Sequence, residues 1–215
     1  VVVFDLDGTL MDNRPRTTTI LAELAAELRA EAHAAADVLA NAKIDRVAYL
    51  LAETLRLIGV DHPEIVSRAE EYWRKRFFSD DYLKHDTAIE GSVSFVRACY
   101  EAGATLLYFT GRDLPLMSLG SFGSLRDLGY PIGVIGTELV CKSDAKIPDE
   151  HFKREEGAKI PRIGRVVATF DNEPGNCNAF SELFPDAENV FVDTQHLPNA
   201  PALSPKVHIV PDFSM

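Results

Sequence analysis

The chain has 215 residues, of which 46% are hydrophobic and 26% charged, and its formal net charge is −11. This length predicts one full domain plus a smaller unit, and the composition is that of an ordinary globular protein. The acidic balance and the lack of a basic stripe argue against a nucleic-acid surface, and no apolar run reaches the roughly 18 residues of a membrane span. The three cysteines are widely spaced, which favours reduced thiols and a cytoplasmic protein: Cys99, Cys141 and Cys177.

Short strands bounded by turn residues alternate with helices along most of the chain. The predicted strands are 1–4, 104–109, 132–135, 165–170, 190–192 and 207–210. The predicted helices between them are 93–102, 116–128 and 149–160. Several of the strands are unbroken apolar runs, which is typical of strands buried on both faces. The pattern therefore predicts an α/β fold with a doubly wound, mostly parallel, Rossmann-like sheet.

One interval does not fit this alternation. About 100 residues separate the first strand from the strand at 104–109, whereas a βαβ unit takes about 30 or more. Apolar residues such as Leu21, Leu24 and Leu28 recur in the interval at helical spacing, and helices are predicted at 19–33, 35–58 and 63–78. The sequence therefore predicts an α/β core of residues 1–12 and 86–215, interrupted by a small all-helical domain at residues 13–85.

The first predicted strand runs directly into the string Asp5-Leu6-Asp7-Gly8-Thr9. Residues two apart in an extended segment point the same way, so Asp5 and Asp7 face together beyond the carboxyl end of the strand, where open α/β sheets bind ligands. Two such carboxylates repel each other unless a cation joins them or one is protonated. Mg²⁺ takes carboxylate ligands, and a carboxylate can act as a nucleophile toward phosphorus. An Asp-Gly pair alone would indicate only a turn.

Two further predicted strands end in polar residues, which places these residues at the same edge of the sheet. The residues are Thr110, Gly111 and Arg112 after one strand, and Asp171, Asn172 and Glu173 after the other. A hydroxyl and a free backbone N–H can both donate to phosphate oxygens. Each of these strand ends taken alone would also fit an ordinary loop or a capped turn. Three strands that end in polar residues at one edge of the sheet favour a ligand-binding site instead.

Together these strings resemble the motifs of the haloacid dehalogenase-like hydrolase superfamily, in the superfamily's order and across the whole core. The resemblance implies that Asp5 attacks phosphorus and carries the phosphoryl group, while Asp7 protonates the leaving oxygen and then activates water. It also implies a Mg²⁺ cofactor held by Asp5, by Asp7 through its backbone carbonyl, and by Asp171. Asp7 itself argues for phosphate chemistry, because the true dehalogenases of the superfamily lack this second Asp.

The resemblance further implies that Thr110 and Gly111 bind the phosphoryl group. Thr-Gly-Arg resembles members in which the Arg touches the substrate, so Arg112 is either a substrate contact or an ion-paired residue. The superfamily also requires a lysine that holds the nucleophile and the phosphoryl oxygens together. Lys153 is the best match and Lys142 the alternative, ahead of Lys146 and Lys159. The string Asp-Asn-Glu departs from the commoner Asp-Asp, which leaves the roles of Asn172 and Glu173 open.

The inserted helical domain is similar to the superfamily's cap, which closes over the site, excludes water and selects substrates. Tyr72, Trp73 and Phe77 are candidates for reaching a substrate, although aromatic residues at helical spacing are more often core residues. Arg14 and Arg16 are candidates for contacting an anionic group of a ligand, with solvated charge as the alternative.

The sequence thus predicts a Mg²⁺-dependent phosphomonoester hydrolase that acts through an aspartyl-phosphate on a small phosphorylated metabolite. Two alternatives stay open: a phosphotransferase or mutase that uses the same residues, and a catalytically silent ligand-binding member. The strings Thr110-Gly111-Arg112 and Phe152-Lys153 also resemble those of a nucleic-acid 3′-phosphatase, but the net charge of −11 counts against binding to nucleic acid. The expected partner is a small phosphate ester, with no membrane, and nothing in the sequence indicates an oligomeric state.

Overall fold

The computed structural model describes residues 1–214. Its strands, in chain order, are β1 (Val2–Phe4), β2 (Met11–Asp12), β3 (Thr87–Ala88), β4 (Leu106–Asp113), β5 (Thr137–Lys142), β6 (Ala168–Asp171), β7 (Glu188–Val192) and β8 (Val207–Val210). Six of them form one sheet in the order β5-β4-β1-β6-β7-β8, and every neighbouring pair is parallel. The predicted parallel α/β sheet is confirmed.

Helices cover both faces of this sheet and fill the segment between β2 and β3. They are α1 (Arg14–Leu28), α2 (His33–Ala40), α3 (Leu51–Ile58), α4 (Pro63–Phe77), α5 (Ser92–Glu101), α6 (Leu114–Leu128), α7 (Asp149–Gly157) and α8 (Pro174–Leu183), with 3₁₀ turns at Ile44–Arg46, Asp80–His85 and Ile160–Arg162. No helix in residues 1–214 combines the length and the apolar character that crossing a membrane requires.

The central strand β1 shows why the sheet needs helices on both sides. Val2 and Phe4 face one core, which they share with side chains of α5 and α6. Val3 faces the opposite core, together with side chains of α7 and α8. Alternate residues of a strand point to opposite faces, so a strand covered on both sides must be apolar at every position. This requirement explains the unbroken Val-Val-Val-Phe run.

The prediction of a strand at 132–135 is wrong, because this segment is a loop and the strand follows it as β5. Gly133 and Gly136 have φ of 73° and 81°, a left-handed conformation that breaks an extended run. Ile135 between them is 96% exposed. The apolar composition of the segment therefore did not reflect burial. Because the chain turns at the two glycines, the strand that pairs with β4 begins only at Thr137.

The helical segment between β2 and β3 differs from its prediction in one place. Residues 35–58 form two helices, α2 and α3, separated by a 3₁₀ turn and a loop, instead of one long helix. Thr54 explains the break: its hydroxyl accepts a hydrogen bond from the backbone N–H of Ala48 at 2.9 Å and lies 3.3 Å from the carbonyl of Leu50. Thr54 thus holds residues 48–50 in a non-helical loop, as Thr side chains often do.

The chain passes from the sheet to this helical segment and back through adjacent strands. β2 leads out and β3 leads back, and the two pair antiparallel, Met11 with Ala88 and Asp12 with Thr87. The helices α1 to α4 have an apolar core of their own, which includes Leu21, Leu24 and Leu55. On this basis we retain as our proposal the division into a core of residues 1–12 and 86–215 and a cap of residues 13–85.

Candidate active site

The carboxyl ends of three adjacent strands bring the predicted motif residues to one place. Asp5 directly follows β1, Thr110 lies in β4, and Asp171 ends β6. Since β1 pairs with β4 on one side and with β6 on the other, these residues meet at one edge of the sheet. Asp5, Thr110 and Asp171 are all buried. The sheet topology alone accounts for their convergence.

Lys153 joins two of these carboxylates. Its Nζ donates to Oδ1 of Asp5 at 2.7 Å, to Oδ2 of Asp171 at 3.1 Å, and to the backbone carbonyl of Phe109. We call Asp5, Asp171 and Lys153 the lysine cluster. Burial alone would lower the pKa of Lys153, but the two carboxylates outweigh this effect and raise it. At neutral pH Lys153 is therefore a charged ammonium group in contact with the candidate nucleophile.

The lysine cluster has more negative than positive charge, because two carboxylates share one ammonium group. Burial raises the pKa of Asp5 well above its usual value, Asp171 raises it further, and Lys153 only partly opposes them. Asp171 has other partners: the backbone N–H of Glu173 donates to it at 2.8 Å, and the side-chain amide of Asn176 at 3.2 Å. The excess negative charge is therefore concentrated at Asp5.

Asp7 belongs to a second ionic cluster, two residues along the chain. Arg112 donates to Oδ2 and Oδ1 of Asp7 at 2.7 and 2.9 Å, and to Asp86 at 2.7 Å. Arg16 donates to both oxygens of Asp86 and to Oδ1 of Asp7, each at 2.8 Å. We call Asp7, Asp86, Arg16 and Arg112 the arginine cluster. Its two acids and two bases balance each other.

The arginine cluster reverses the effect of burial on Asp7. Burial alone would raise the pKa of this carboxyl, but the guanidinium groups of Arg112 and Arg16 hold the pKa well below its usual range. The side chains of Arg16 and Arg112 are 0% and 1% exposed. Of the alternatives that the sequence left for Arg112, the structure has the ion pair, and Arg16 is neither solvated nor free.

The other predicted residues have the following positions. The hydroxyl of Thr110 accepts from the backbone N–H of Arg112 at 3.2 Å, which leaves its own proton free to donate. Gly111 is packed so closely against the Asp149 carboxylate that a Cβ would overlap it. Lys142 donates to Asp149 at 2.5 Å and to the carbonyl of Ile147 at 3.0 Å. Lys153, and not Lys142, therefore contacts the two strand-end carboxylates.

Asn172, whose role the sequence left open, connects two motif loops. Its Oδ1 accepts from the hydroxyl of Thr9 at 3.1 Å, and its Nδ2 donates to the carbonyl of Gln195 at 2.6 Å. Gly8 has φ of 76°, and a Cβ there would overlap the Asn172 amide. Both polar groups of Asn172 are thus used in packing the turn after Asp7 against the end of β6. The Glu173 carboxylate accepts from the backbone N–H of Leu197 at 3.2 Å.

Sequence reasoning assigned no role to Asp86, a member of the arginine cluster, or to Asn176, which donates to Asp171 of the lysine cluster. Asp86 precedes β3, where the chain returns from the cap, and its place at the predicted cap boundary was the only signal for it. Asn176 lies in the first turn of α8, a helix that was not predicted because Pro174, Gly175 and two asparagines are typical of a turn. Pro is in fact favoured at the first position of a helix.

A cavity of about 840 Å³ lies between the cap and this sheet edge. Asp5, Asp7 and Thr110 line it from the core, and Trp73 and Phe77 line it from the cap. Asp171 and Lys153 are each only 1% exposed and stand behind Asp5. Asp5 is thus the member of the lysine cluster that a ligand in the cavity can reach. Tyr72 packs into the helical core of the cap, while Arg14 pairs with Asp12 at 2.8 Å.

The sequence profile of the haloacid dehalogenase-like hydrolases matches residues 1–146. The chain belongs to this family. The match includes Asp5, Asp7 and Thr110, whereas Lys153 and Asp171, which the sequence also predicted, lie beyond it. No curated protein has a significantly similar sequence.

Solved structures share the fold of this haloacid dehalogenase-like hydrolase at low sequence identity. A candidate phosphatase of Clostridium difficile is 13% identical with a TM-score of 0.59, covering 97% of this chain and 93% of its own. Protein Tyrosine Kinase A of Mycobacterium tuberculosis is 17% identical with a TM-score of 0.57, covering 97% and 92%. CbbY of Rhodobacter sphaeroides, in complex with phosphate, is 14% identical with a TM-score of 0.54, covering 99% and 93%. Their different names show that activity must be argued from the site.

Haloacid dehalogenase-like hydrolases generally use a divalent metal, and the site fits one. The fold buries the carboxylates of Asp5 and Asp171 against a single ammonium group, that of Lys153, so one negative charge has no cation beside it. Within residues 1–214 there is no group of three His, Cys, Asp or Glu side chains placed to hold a metal. Asp5 and Asp171 are only two carboxylates, but Mg²⁺ usually binds through one or two carboxylates, with waters and phosphate oxygens completing its shell.

Proposed function

We propose that this haloacid dehalogenase-like hydrolase is a phosphatase that cleaves phosphomonoesters through a covalent phosphoryl group on Asp5. The observation that carries the proposal is the difference between the two aspartates. Asp5 faces the cavity and accepts a hydrogen bond from the Lys153 ammonium group, which favours the ionised form that a nucleophile requires. Asp7, two residues away, is held in a fixed position by Arg112 and Arg16, as a proton-transfer group requires.

In the first step, an oxygen of Asp5 attacks phosphorus, the bond from phosphorus to the ester oxygen breaks, and Asp7 gives its proton to the leaving oxygen. The ion pairs keep Asp7 ionised in the free enzyme. The negative charge of an incoming phosphoryl group raises the pKa of a neighbouring carboxyl, so we expect Asp7 to take up a proton as the substrate binds.

In the second step, Asp7 removes a proton from water, the water oxygen attacks phosphorus, and Asp5 is released with inorganic phosphate. Thr110 and the backbone at Gly111 bind the phosphoryl oxygens, and Lys153 holds Asp5 in position. Asp5, Asp171 and the carbonyl of Asp7 would hold Mg²⁺, which neutralises phosphoryl charge when bound. The Arg112 ion pairs serve to orient Asp7.

Phosphate release from para-nitrophenyl phosphate tests this proposal. We expect activity that depends on Mg²⁺ and that Asp5→Asn reduces at least about 10⁴-fold, because losing the nucleophile of a covalent enzyme costs this much or more. Asp193→Asn is the matched control: Asp193 also directly follows a strand of the sheet, β7, but it is exposed and belongs to neither cluster. It should retain wild-type activity.

Two results would contradict the proposal: wild-type activity in Asp5→Asn, or no phosphate release from any ester in the presence of Mg²⁺. The phosphotransferase alternative has a separate signature, since an added alcohol would then appear as the phosphorylated product in place of inorganic phosphate.

A further inference from the structure

The cap and the core contribute different chemistry to the cavity. Apart from Arg14, the cap side chains that line the cavity are all uncharged: Asn13, Thr17, residues 47–51, Thr54, Trp73, Phe77 and Phe78. Three of the large hydrophobic ones remain substantially exposed, Tyr49 at 41%, Leu50 at 45% and Phe78 at 43%. Apolar side chains left open on the wall of a cavity indicate a ligand with an apolar part.

Three aromatic rings at the C-terminal end of α4 lie on the cap side of the cavity. Trp73 stacks on Phe77 with 4.2 Å between ring centroids, and Phe78 packs edge-on against both. We call Trp73, Phe77 and Phe78 the aromatic cluster. The only polar group of these side chains, the indole N–H, already donates to the hydroxyl of Thr17 at 3.1 Å. The cluster therefore offers apolar surface without an unmet hydrogen bond.

Arg16 connects the aromatic cluster to the reacting groups. Its guanidinium lies 4.1 Å from the centre of the Phe77 ring and donates to Asp7 at 2.8 Å. Asp7 is the proposed proton donor to the leaving oxygen, so the leaving group must depart on the Asp7 side of the phosphorus. This path brings the leaving group toward the aromatic cluster.

The charged residues of the cavity wall offer no partner for a second anionic group on the substrate. Within residues 1–214, the lining cations are Arg14, Arg112 and Lys142, and each is in an ion pair: with Asp12, with Asp7 and Asp86, and with Asp149. Glu90, Glu173 and Asp212 add further negative charge to the wall. A leaving group with a phosphate or carboxylate of its own would be repelled.

We infer that the substrate is a phosphomonoester with an uncharged, apolar leaving group, and that Trp73, Phe78 and Leu50 select it. This inference rests on the proposed phosphatase function and narrows its substrate class. A cavity of about 840 Å³ falls within the range that encloses ligands of drug-like size, so the apolar group is a long alkyl chain or a ring system.

A series of straight-chain alkyl phosphates from ethyl to decyl tests the inference. The leaving alcohols beyond ethanol are equally basic, so chemical reactivity stays constant while apolar area grows. We expect kcat/KM to rise roughly two- to fourfold for each added methylene until the cavity is full. A length-matched ester that ends in a carboxylate or an ammonium group should lose most of this gain.

Leu50→Asn and Phe78→Asn should flatten the dependence of kcat/KM on chain length, because each removes apolar surface from the cavity wall. Both side chains are partly exposed, so the fold tolerates the change. Leu57→Asn is the matched control: Leu57 lies on α3, is 41% exposed and does not line the cavity. This variant should keep the full chain-length dependence.

Failure of the inference can be distinguished from failure of the proposed function. Equal kcat/KM for all chain lengths, or a preference for charged ends, would overturn the apolar leaving group while leaving the phosphatase in place. If no ester is hydrolysed, calorimetric binding of alkyl phosphonates to the wild-type protein still decides the matter. Affinity that grows with chain length supports an apolar site, and affinity independent of chain length rejects it.

Discussion

Two buried ionic clusters lie side by side at the carboxyl edge of the sheet, and they differ in one property. The lysine cluster has two carboxylates and one cation, Lys153. The arginine cluster also has two carboxylates, but it has two cations, Arg16 and Arg112. Asp5 and Asp7 are only two residues apart, yet they fall into different clusters.

This difference in charge balance gives the two aspartates opposite properties. The pKa of Asp5 is raised, with burial as the main cause, whereas the pKa of Asp7 is lowered because two guanidinium groups outweigh burial. Asp7 contacts two guanidinium groups and Asp5 one ammonium group, and this separates the two aspartates; at Asp86, whose side chain is 0% exposed, burial outweighs the same two guanidinium groups and raises the pKa. A buried carboxylate that lacks a cation of its own can react with a ligand. A carboxylate that is paired with two cations is held in a fixed position.

The balanced cluster also connects separate parts of the chain. Arg16 comes from α1 of the cap, Arg112 from β4 of the core, and Asp86 from the segment that returns from the cap to the core. Each of the four side chains makes ion pairs to both members of opposite charge, so the arginine cluster fixes the cap relative to Asp7. The lysine cluster lies entirely within the core.

The largest expected effect comes from unbalancing the arginine cluster. Asp86→Ala leaves two buried guanidinium groups with one carboxylate between them, and removing one partner of a buried pair typically costs about 3–5 kcal/mol. We expect the free energy of unfolding, measured by urea titration, to fall by this amount. The Asp86 side chain is 0% exposed, so water cannot replace it.

Asp127→Ala is the control for Asp86→Ala. Asp127 pairs with Arg126 at 2.7 Å, but both side chains are largely exposed, and an exposed pair contributes little. The urea midpoint of this variant should match that of wild type. Equal midpoints for both variants would show that the arginine cluster does not stabilise the fold.

The next effect concerns the lysine cluster, which a divalent cation should relieve of its excess charge. Binding to the folded state alone stabilises a protein by about 2.7 kcal/mol when the free ion is at a hundred times its dissociation constant. We expect Mg²⁺ to raise the melting temperature of the wild-type protein and to have no such effect on Asp171→Asn. KCl at matched ionic strength separates binding from screening, and an equal rise with KCl would contradict a metal site.

The sequence predicted the elements of the fold whose residues are constrained by the sheet itself. β1 is apolar at every position because helices cover both faces, and motif residues follow the strands because parallel strands end at one edge. The prediction of a strand at 132–135 was wrong because an apolar composition does not by itself show that a segment is buried. Ile135 in this segment is exposed. The prediction of one helix at 35–58 was wrong because the Thr54 hydroxyl accepts a hydrogen bond from a backbone N–H 6 residues away. This bond competes with helical hydrogen bonding, and the spacing of apolar residues does not reveal it.

The site was predicted unevenly for a related reason. Each strand-end residue could be placed from its own strand, whereas Lys153 was assigned through the resemblance to the superfamily. The arginine cluster needed three contacts between distant parts of the chain, such as Arg16 with Asp86, 70 residues apart. No pattern within one segment indicates such a pairing. The sequence therefore identified Asp5 and Asp7 as a pair, but it could not show that their surroundings differ.

The same chemical change at the two aspartates should have opposite effects on stability. The raised pKa of Asp5 means that the fold favours its protonated form, so the ionised side chain destabilises the fold at neutral pH. Asp5→Asn removes this charge, keeps an acceptor for Lys153 and leaves a balanced pair of Lys153 with Asp171. We expect its free energy of unfolding, measured with EDTA present, to rise by about 1–2 kcal/mol.

Asp7→Asn should lower the free energy of unfolding by a similar amount. The lowered pKa of Asp7 means that the ionised form stabilises the fold; this contribution is complete above the usual carboxyl pKa of about 4 and is lost as the pH falls below it. Asparagine cannot supply the charge that Arg112 and Arg16 require, although the Asp7 side chain is 29% exposed and water compensates in part. Shifts of the same sign in Asp5→Asn and Asp7→Asn would mean that burial, and not the number of cations, controls both sites.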